Sequence, residues 1–165
     1  MTPTPTEPAP LTQIDQAMIG VTPHHIGCAV RDLESSCSFY ADCFARRRTH
    51  PFAVESQGVS VVFVELVPHF YLELVHAASD TARLGPYLKT GFYHLCFLVD
   101  CLESARAGLK ARGFSALPSF PSEAFDGASC QFLINSEHQL IELAEISPSR
   151  FDTFFATHQS TEQRP

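Results

Sequence analysis

Apolar and polar positions along this chain alternate in short runs, change to a helical period, and then run through the same order again. The stretch Pro23-His24-His25-Ile26-Gly27-Cys28-Ala29-Val30 reads as a strand with two unlike faces. His25, Gly27 and Ala29 share one face, with Ile26, Cys28 and Val30 on the other, and the alternation points His24 away from His25. Asp32 follows as an N-cap, and Leu33, Cys37, Tyr40 and Phe44 recur at helical spacing, which predicts a helix through about Phe44. Gln57-Gly58 marks a turn. Val59–Leu66 and Phe70–His76 then predict two strands joined by a hairpin at Pro68.

The order restarts at Gly91-Phe92-Tyr93-His94-Leu95-Cys96-Phe97-Leu98-Val99. A strand over His94–Val99 leads to a helix from about Leu102 to Arg112, stopped by Gly113, and to strands near Cys130–Ile134 and Gln139–Ala144. An offset of 69 residues carries His25 onto His94, Phe63 onto Phe132, and Leu72-Glu73-Leu74 onto Ile141-Glu142-Leu143 without a gap. Each half is therefore β-α-β-β, with one more short strand expected near residues 48–54 and 115–119. The predicted organisation is a flexible tail over residues 1–20, one α+β domain over 21–148, and a C-terminal tail over 149–165. Within the domain, module 1 spans about 23–78 and module 2 about 91–147. Thr81–Thr90 reads as their connector, with a short helical piece around Tyr87-Leu88. In the tail, Phe151, Phe154 and Phe155 suit docking as a short helix.

The repeat preserves more than hydrophobicity. In each half a histidine near the start of one strand is followed 48 residues later by a glutamate inside another, His25 with Glu73 and His94 with Glu142. Glu73 alternates with Leu72 and Leu74, and Glu142 with Ile141 and Leu143, so the bulky faces pack on helices while the His and Glu side chains face a shared concavity. A buried carboxylate is costly unless paired or bound to a metal. Two modules related by a pseudo-twofold would gather two imidazoles and two carboxylates at one point. That set suits a single divalent transition metal, Co, Ni, Zn, Mn or Fe. Such an ion polarises a carbonyl and stabilises an enolate, and Glu142 or Glu73 is placed to remove and return a proton on carbon. The other histidines are read as structural or exposed, His24 among them.

Composition narrows the partners. A net charge of −7 argues against non-specific binding to nucleic acid or an anionic membrane. No apolar run approaches the roughly 20 residues that cross a bilayer, and the start has neither the basic nor the apolar region of a signal peptide. Six cysteines with no CxxC pair read as free thiols of a cytoplasmic protein. Arg46-Arg47-Arg48 reads as a solvated helix end.

The segments HHIGCAVRDLESSCSFY, QGVSVVFVEL, LELV, GFYHLCFLVDCLESA and QLIELAE resemble the vicinal oxygen chelate superfamily, the glyoxalase and bleomycin-resistance fold, over roughly residues 23–146. Within it they are most similar to the methylmalonyl-CoA epimerase branch. The resemblance implies two paired βαβββ modules forming a curved mixed sheet, and a metal at His25, Glu73, His94 and Glu142. It also implies proton transfer beside a carbonyl of a small substrate, an acyl-CoA in the epimerases, and a homodimer. A glyoxalase I-type lactoylglutathione lyase would use the same four ligands. An Fe(II) dioxygenase, which leaves the position of Glu73 unligated, and a metal-free binding or resistance protein are further alternatives. The Pro-Glu-Gln/His-Gly-Val stretch typical of epimerases is Glu55-Ser56-Gln57-Gly58-Val59 here, and Tyr93-His94 stands where a His-His pair is common. These departures leave the metal chemistry standing and the thioester substrate open.

Overall fold

The computed structural model describes residues 20–44, 47–77 and 90–160. All but the last residue of the tail expected over 1–20, and the connector helix expected around Tyr87-Leu88, lie outside the described residues. The first module runs β1 (Thr22–Ala29), α1 (Leu33–Phe44), β2 (Phe52–Val54), β3 (Val59–Val67) and β4 (Phe70–Ala77). The second runs β5 (Gly91–Leu98), α2 (Leu102–Lys110), β6 (Ser115–Ala116), β7 (Phe120–Ser122), β8 (Ala128–Ile134) and β9 (Leu140–Ala144), followed by α3 (Pro148–His158). The Asp32 carboxylate accepts from the Ser35 N–H at 2.7 Å and caps α1. His69, at φ 63°, turns the β3–β4 hairpin just after Pro68.

The strands form one mixed sheet in the order β2-β3-β4-β1-β5-β9-β8-β6, with β7 also on β8. Its centre carries the symmetry. β1 and β5 run antiparallel, pairing His25 with Cys96 and Gly27 with His94. Each then pairs in parallel with the last long strand of its own module, Gly27 opposite Glu73 and Cys96 opposite Glu142. The offset of 69 residues thus becomes an approximate twofold between β1 and β5 that brings both His/Glu pairs to the middle of the sheet.

Two of the three cores lie where the strand alternation predicts. Cys37 on α1 packs with Cys28, Val62, Val64, Leu72 and Leu74, while Ala105 and Leu109 on α2 pack with Val99, Leu133 and Leu143. The third fills the other face of the sheet with Phe63, Tyr71, Val75, Leu98 and Phe132. Helix α3 joins it. Ser147 caps this helix by accepting from the Arg150 N–H, Pro148 stands in its first turn, and Phe151 and Phe155 are fully buried. Each such phenylalanine contributes about 1.5–3 kcal/mol of apolar burial, so the helix Pro148–His158 is part of the core. The arginine cluster is also engaged: Arg47 forks onto Glu65 of β3 through Nε at 2.8 Å and Nη2 at 2.6 Å.

Candidate active site

The four repeated residues meet. One donor atom from each of His25, Glu73, His94 and Glu142 lies within 4.8 Å of the others, and all four side chains are buried. The Nε2 atoms of His25 and His94 are 2.7 Å apart. Around them, Glu73 Oε2 stands 3.4 Å from His25 and 3.7 Å from His94, while Glu142 Oε2 stands 3.4 and 3.3 Å from the same atoms. Phe63 and Phe132, equivalent across the repeat, set their rings edge-on to His25 and His94 at 5.5 and 5.3 Å.

Gly27 makes room for this centre. A Cβ at that position would run into the His94 ring at Cε1 and Nδ1, so only glycine lets His94 lie flat over β1.

The electrostatics are those of a site built for a cation. Burial disfavours the charged form of His25, but Glu73 and Glu142 outweigh it and hold the imidazole at about 9. Glu142 is opposed by its own burial yet driven well below the usual carboxylate range by hydrogen bonds from His25 and His94. Two imidazole nitrogens at hydrogen-bond distance cannot both carry a proton in that contact. Either one proton is shared, or both lone pairs turn to a common cation. Two neutral imidazoles and two carboxylates aimed at one point, with total ligand charge −2, fit a divalent transition metal.

The structure places His24 differently from the strand alternation. The register between β1 and β5 shifts between Pro23 and His25, and this bulge turns His24 onto the same face as His25. His24 is buried, with its Nδ1 2.9 Å from His25 Nδ1. Its ring is packed edge-on against Phe151 at 4.0 Å and tilted against Tyr71 at 5.0 Å and Phe125 at 5.6 Å. Proline inside a strand is the signal that marks such a bulge in a sequence. The other positions read as structural or exposed (His50, His69, His76, His138 and His158) stay away from the centre; His69, for example, meets Asp152 at 3.0 Å on the surface.

A cleft open to solvent is lined in part by Glu73 and Glu142. Its wall is largely apolar, with Val54, Val59, Val61, Val75, Ala124 and Phe132, and its polar groups are Gln57, Ser122 and Tyr93. Burial, followed by the charges of Glu73 and Glu142, pushes the Tyr93 hydroxyl well up, so it stays a neutral phenol beside His94. Gln57 and Ser122 were not among the residues that the repeat singles out, because they sit on a turn and a short strand that differ between the two halves.

Two βαβββ-like modules sharing one sheet, with two histidines and two glutamates at their junction, define a paired-module fold with a potential metal site. The Glyoxalase/Bleomycin resistance protein/Dioxygenase superfamily matches residues 24–133, and the chain belongs to it. The mitochondrial methylmalonyl-CoA epimerase of Mus musculus is 32% identical over 98 residues, covering 57% of this chain and 54% of that protein. The match thus spans about half the length of the mouse enzyme. The lactoylglutathione lyase of Schizosaccharomyces pombe is 28% identical over 149 residues, covering 77% of this chain and 48% of its own length. Among solved structures, the methylmalonyl-CoA epimerase of Mycobacterium tuberculosis superposes with a TM-score of 0.67 at 20% identity, covering 78% of this chain and 89% of the other. At that identity the likeness is one of fold. No helix among the described residues is long and apolar enough to cross a membrane.

Proposed function

We propose that the chain is a metal-dependent epimerase or isomerase that transfers a proton at a carbon beside a carbonyl. The observation that carries this reading is the meeting of His25, Glu73, His94 and Glu142, one His/Glu pair from each module, with both glutamates lining a largely apolar cleft. These four residues would hold one divalent transition metal, the histidines through Nε2 and the glutamates through a carboxylate oxygen. When bound, the ion supplies a Lewis acid that stabilises negative charge on a substrate carbonyl oxygen. The chain's own residues do the rest. Glu142 and Glu73 both line the cleft, so their carboxylates take the proton from carbon and return it. The valine and phenylalanine walls exclude water and receive a small alkyl branch. Tyr93, held neutral, adds a hydroxyl without adding charge.

The epimerase name of the mouse relative favours a short-chain acyl-CoA as substrate. The test is exchange of the α-proton of methylmalonyl-CoA in deuterated buffer by metal-loaded protein. Exchange that depends on metal and falls by roughly 10²- to 10⁴-fold in Glu142→Gln is the expected result. A second reading, the lyase, is consistent with the weaker likeness to the fission-yeast relative, at 28% identity over 77% of this chain. Turnover of the methylglyoxal–glutathione adduct without exchange on methylmalonyl-CoA would decide for it.

A further inference from the structure

One polar side chain in the cleft is engaged neither by the fold nor by the metal donors. Gln57 is 5% exposed, and both Oε1 and Nε2 are buried with no hydrogen-bond partner among the described residues. An amide is costly to bury in that condition, and the cost is removed when something entering the cleft completes it.

The local sequence holds Gln57 in this position. Glu55-Ser56-Gln57-Gly58 forms a tight turn in which the N–H groups of Gln57 and Gly58 both donate to the Val54 carbonyl, at 3.0 and 2.9 Å. Gly58, at φ 69°, reverses the chain directly into β3. Ser56 then ties the turn to the second module, its Oγ–H and N–H donating to the Glu123 carboxylate at 2.9 and 3.3 Å. The backbone on either side of Gln57 is thereby fixed, and its side chain lines the cleft together with Ser122, Glu73 and Glu142.

We propose that the Gln57 amide is the oxygen-recognition group of this cleft: its Nε2–H donates to a substrate carboxylate or carbonyl oxygen that is not itself on the metal. The inference rests on the metal-centre reading given above. Among the described residues lining the cleft none is Lys or Arg. A substrate oxygen group therefore meets no cationic side chain there, and its orientation is set by a neutral amide. Such a cleft favours compact acyl groups with a second oxygen function beside the reacting carbon over acyl groups with a single carbonyl.

The test uses the full chain loaded with Co(II), whose visible spectrum reports ligands entering its coordination sphere. Methylmalonate keeps two oxygens free when it chelates the ion, whereas acetohydroxamate places both of its oxygens on the metal. Gln57→Met, close in shape and without the amide, should bind methylmalonate roughly tenfold to a hundredfold more weakly than wild type, with acetohydroxamate affinity and cobalt content unchanged. If Gln57→Met fails to take up cobalt, Gln57→Asn, which withdraws the amide by one methylene, carries the same comparison and the same expectation. Equal affinity of wild type and variant for methylmalonate, or equal weakening for both ligands, overturns the proposal. A wild type that binds no cobalt overturns it together with the metal-centre reading. Selective loss of methylmalonate in a protein that exchanges no α-proton of methylmalonyl-CoA would uphold recognition by Gln57 and remove the epimerase reading alone.

Discussion

The Nδ1 atom of His24 lies 2.9 Å from the Nδ1 atom of His25. If His25 turns its Nε2 lone pair to a cation held jointly with Glu73, His94 and Glu142, its proton sits on Nδ1 and is donated to His24. His24 must then be neutral with its own proton on Nε2. Burial, then the neighbouring His25, hold His24 well below the usual imidazole range, which meets the first condition. Its Nε2 has no hydrogen-bond partner among the described residues and its ring lies edge-on to Phe151, which suits an N–H aimed at an aromatic face. His24 thus fixes the tautomer and plane of a candidate metal ligand.

The substitution His24→Phe should keep the ring's packing and remove the acceptor. Metal affinity is expected to fall by roughly 10- to 100-fold, with a melting temperature close to wild type when metal-loaded. His24→Asn, which restores an acceptor at similar reach, should recover part of the loss. Competition with a chelator of known affinity measures both, and an unchanged affinity in His24→Phe would remove the positioning role.

Gly27→Ala tests the space over β1. The new Cβ overlaps the His94 ring, so either the ring leaves the centre or the strand shifts. Overpacking of this kind costs about 1–3 kcal/mol. The expected outcome is a folded protein with reduced thermal stability that loses most of its bound metal, read by elemental analysis on the same preparation. The equivalent position in the second module is Cys96, which is fully buried beside His25, so the two halves of the repeat are not interchangeable here.

The repeat makes the meeting of the four residues legible in the sequence, because a His/Glu pair kept at one spacing survives whatever the loops do. The same spacing rule misplaced His24, since strict alternation assumes an unbroken ladder and Pro23 breaks it. The docking of helix α3 is less legible for another reason. Phe151, Phe154 and Phe155 share a helical face, but nothing local says that Phe151 reaches His24 from the far side of the chain. Ser56 and Glu123 meet across modules, 67 residues apart in sequence, and neither residue type signals a distant partner.

Arg47 offers a stability test away from the centre. Its guanidinium forks onto both oxygens of Glu65, a carboxylate that is itself buried, and stacks over the Phe155 ring at 5.5 Å. Removing the arginine leaves Glu65 with its charge and no fork. Arg47→Ala should lower stability by about 1–3 kcal/mol, while Arg47→Lys should recover only part, because an ammonium cannot match both oxygens. Chemical denaturation of the two variants provides the measurement, and equal stability of Arg47→Ala and wild type would contradict it.

The pH dependence of metal uptake follows from His25. In the metal-free protein Glu73 and Glu142, against the effect of burial, raise this imidazole to about 9, so at neutral pH it is protonated and a metal must displace that proton. Apparent metal affinity should therefore rise by about tenfold per pH unit through the neutral range and level off near pH 9. Folding stability of the metal-free chain carries the opposite sign. A raised folded-state value stabilises fully below the ordinary imidazole value of about 6.5 and is lost as pH climbs through 9. Glu142, depressed by His25 and His94 against its own burial, stabilises above the ordinary carboxylate range and is lost as pH falls. The metal-free protein should thus melt highest at about pH 5–6 and progressively lower toward pH 9, and metal loading should remove the alkaline decline. Melting curves recorded from pH 5 to 9 with and without metal would show it, and a metal-free melting temperature that rises toward pH 9 would rule out a protonated His25 between the two glutamates.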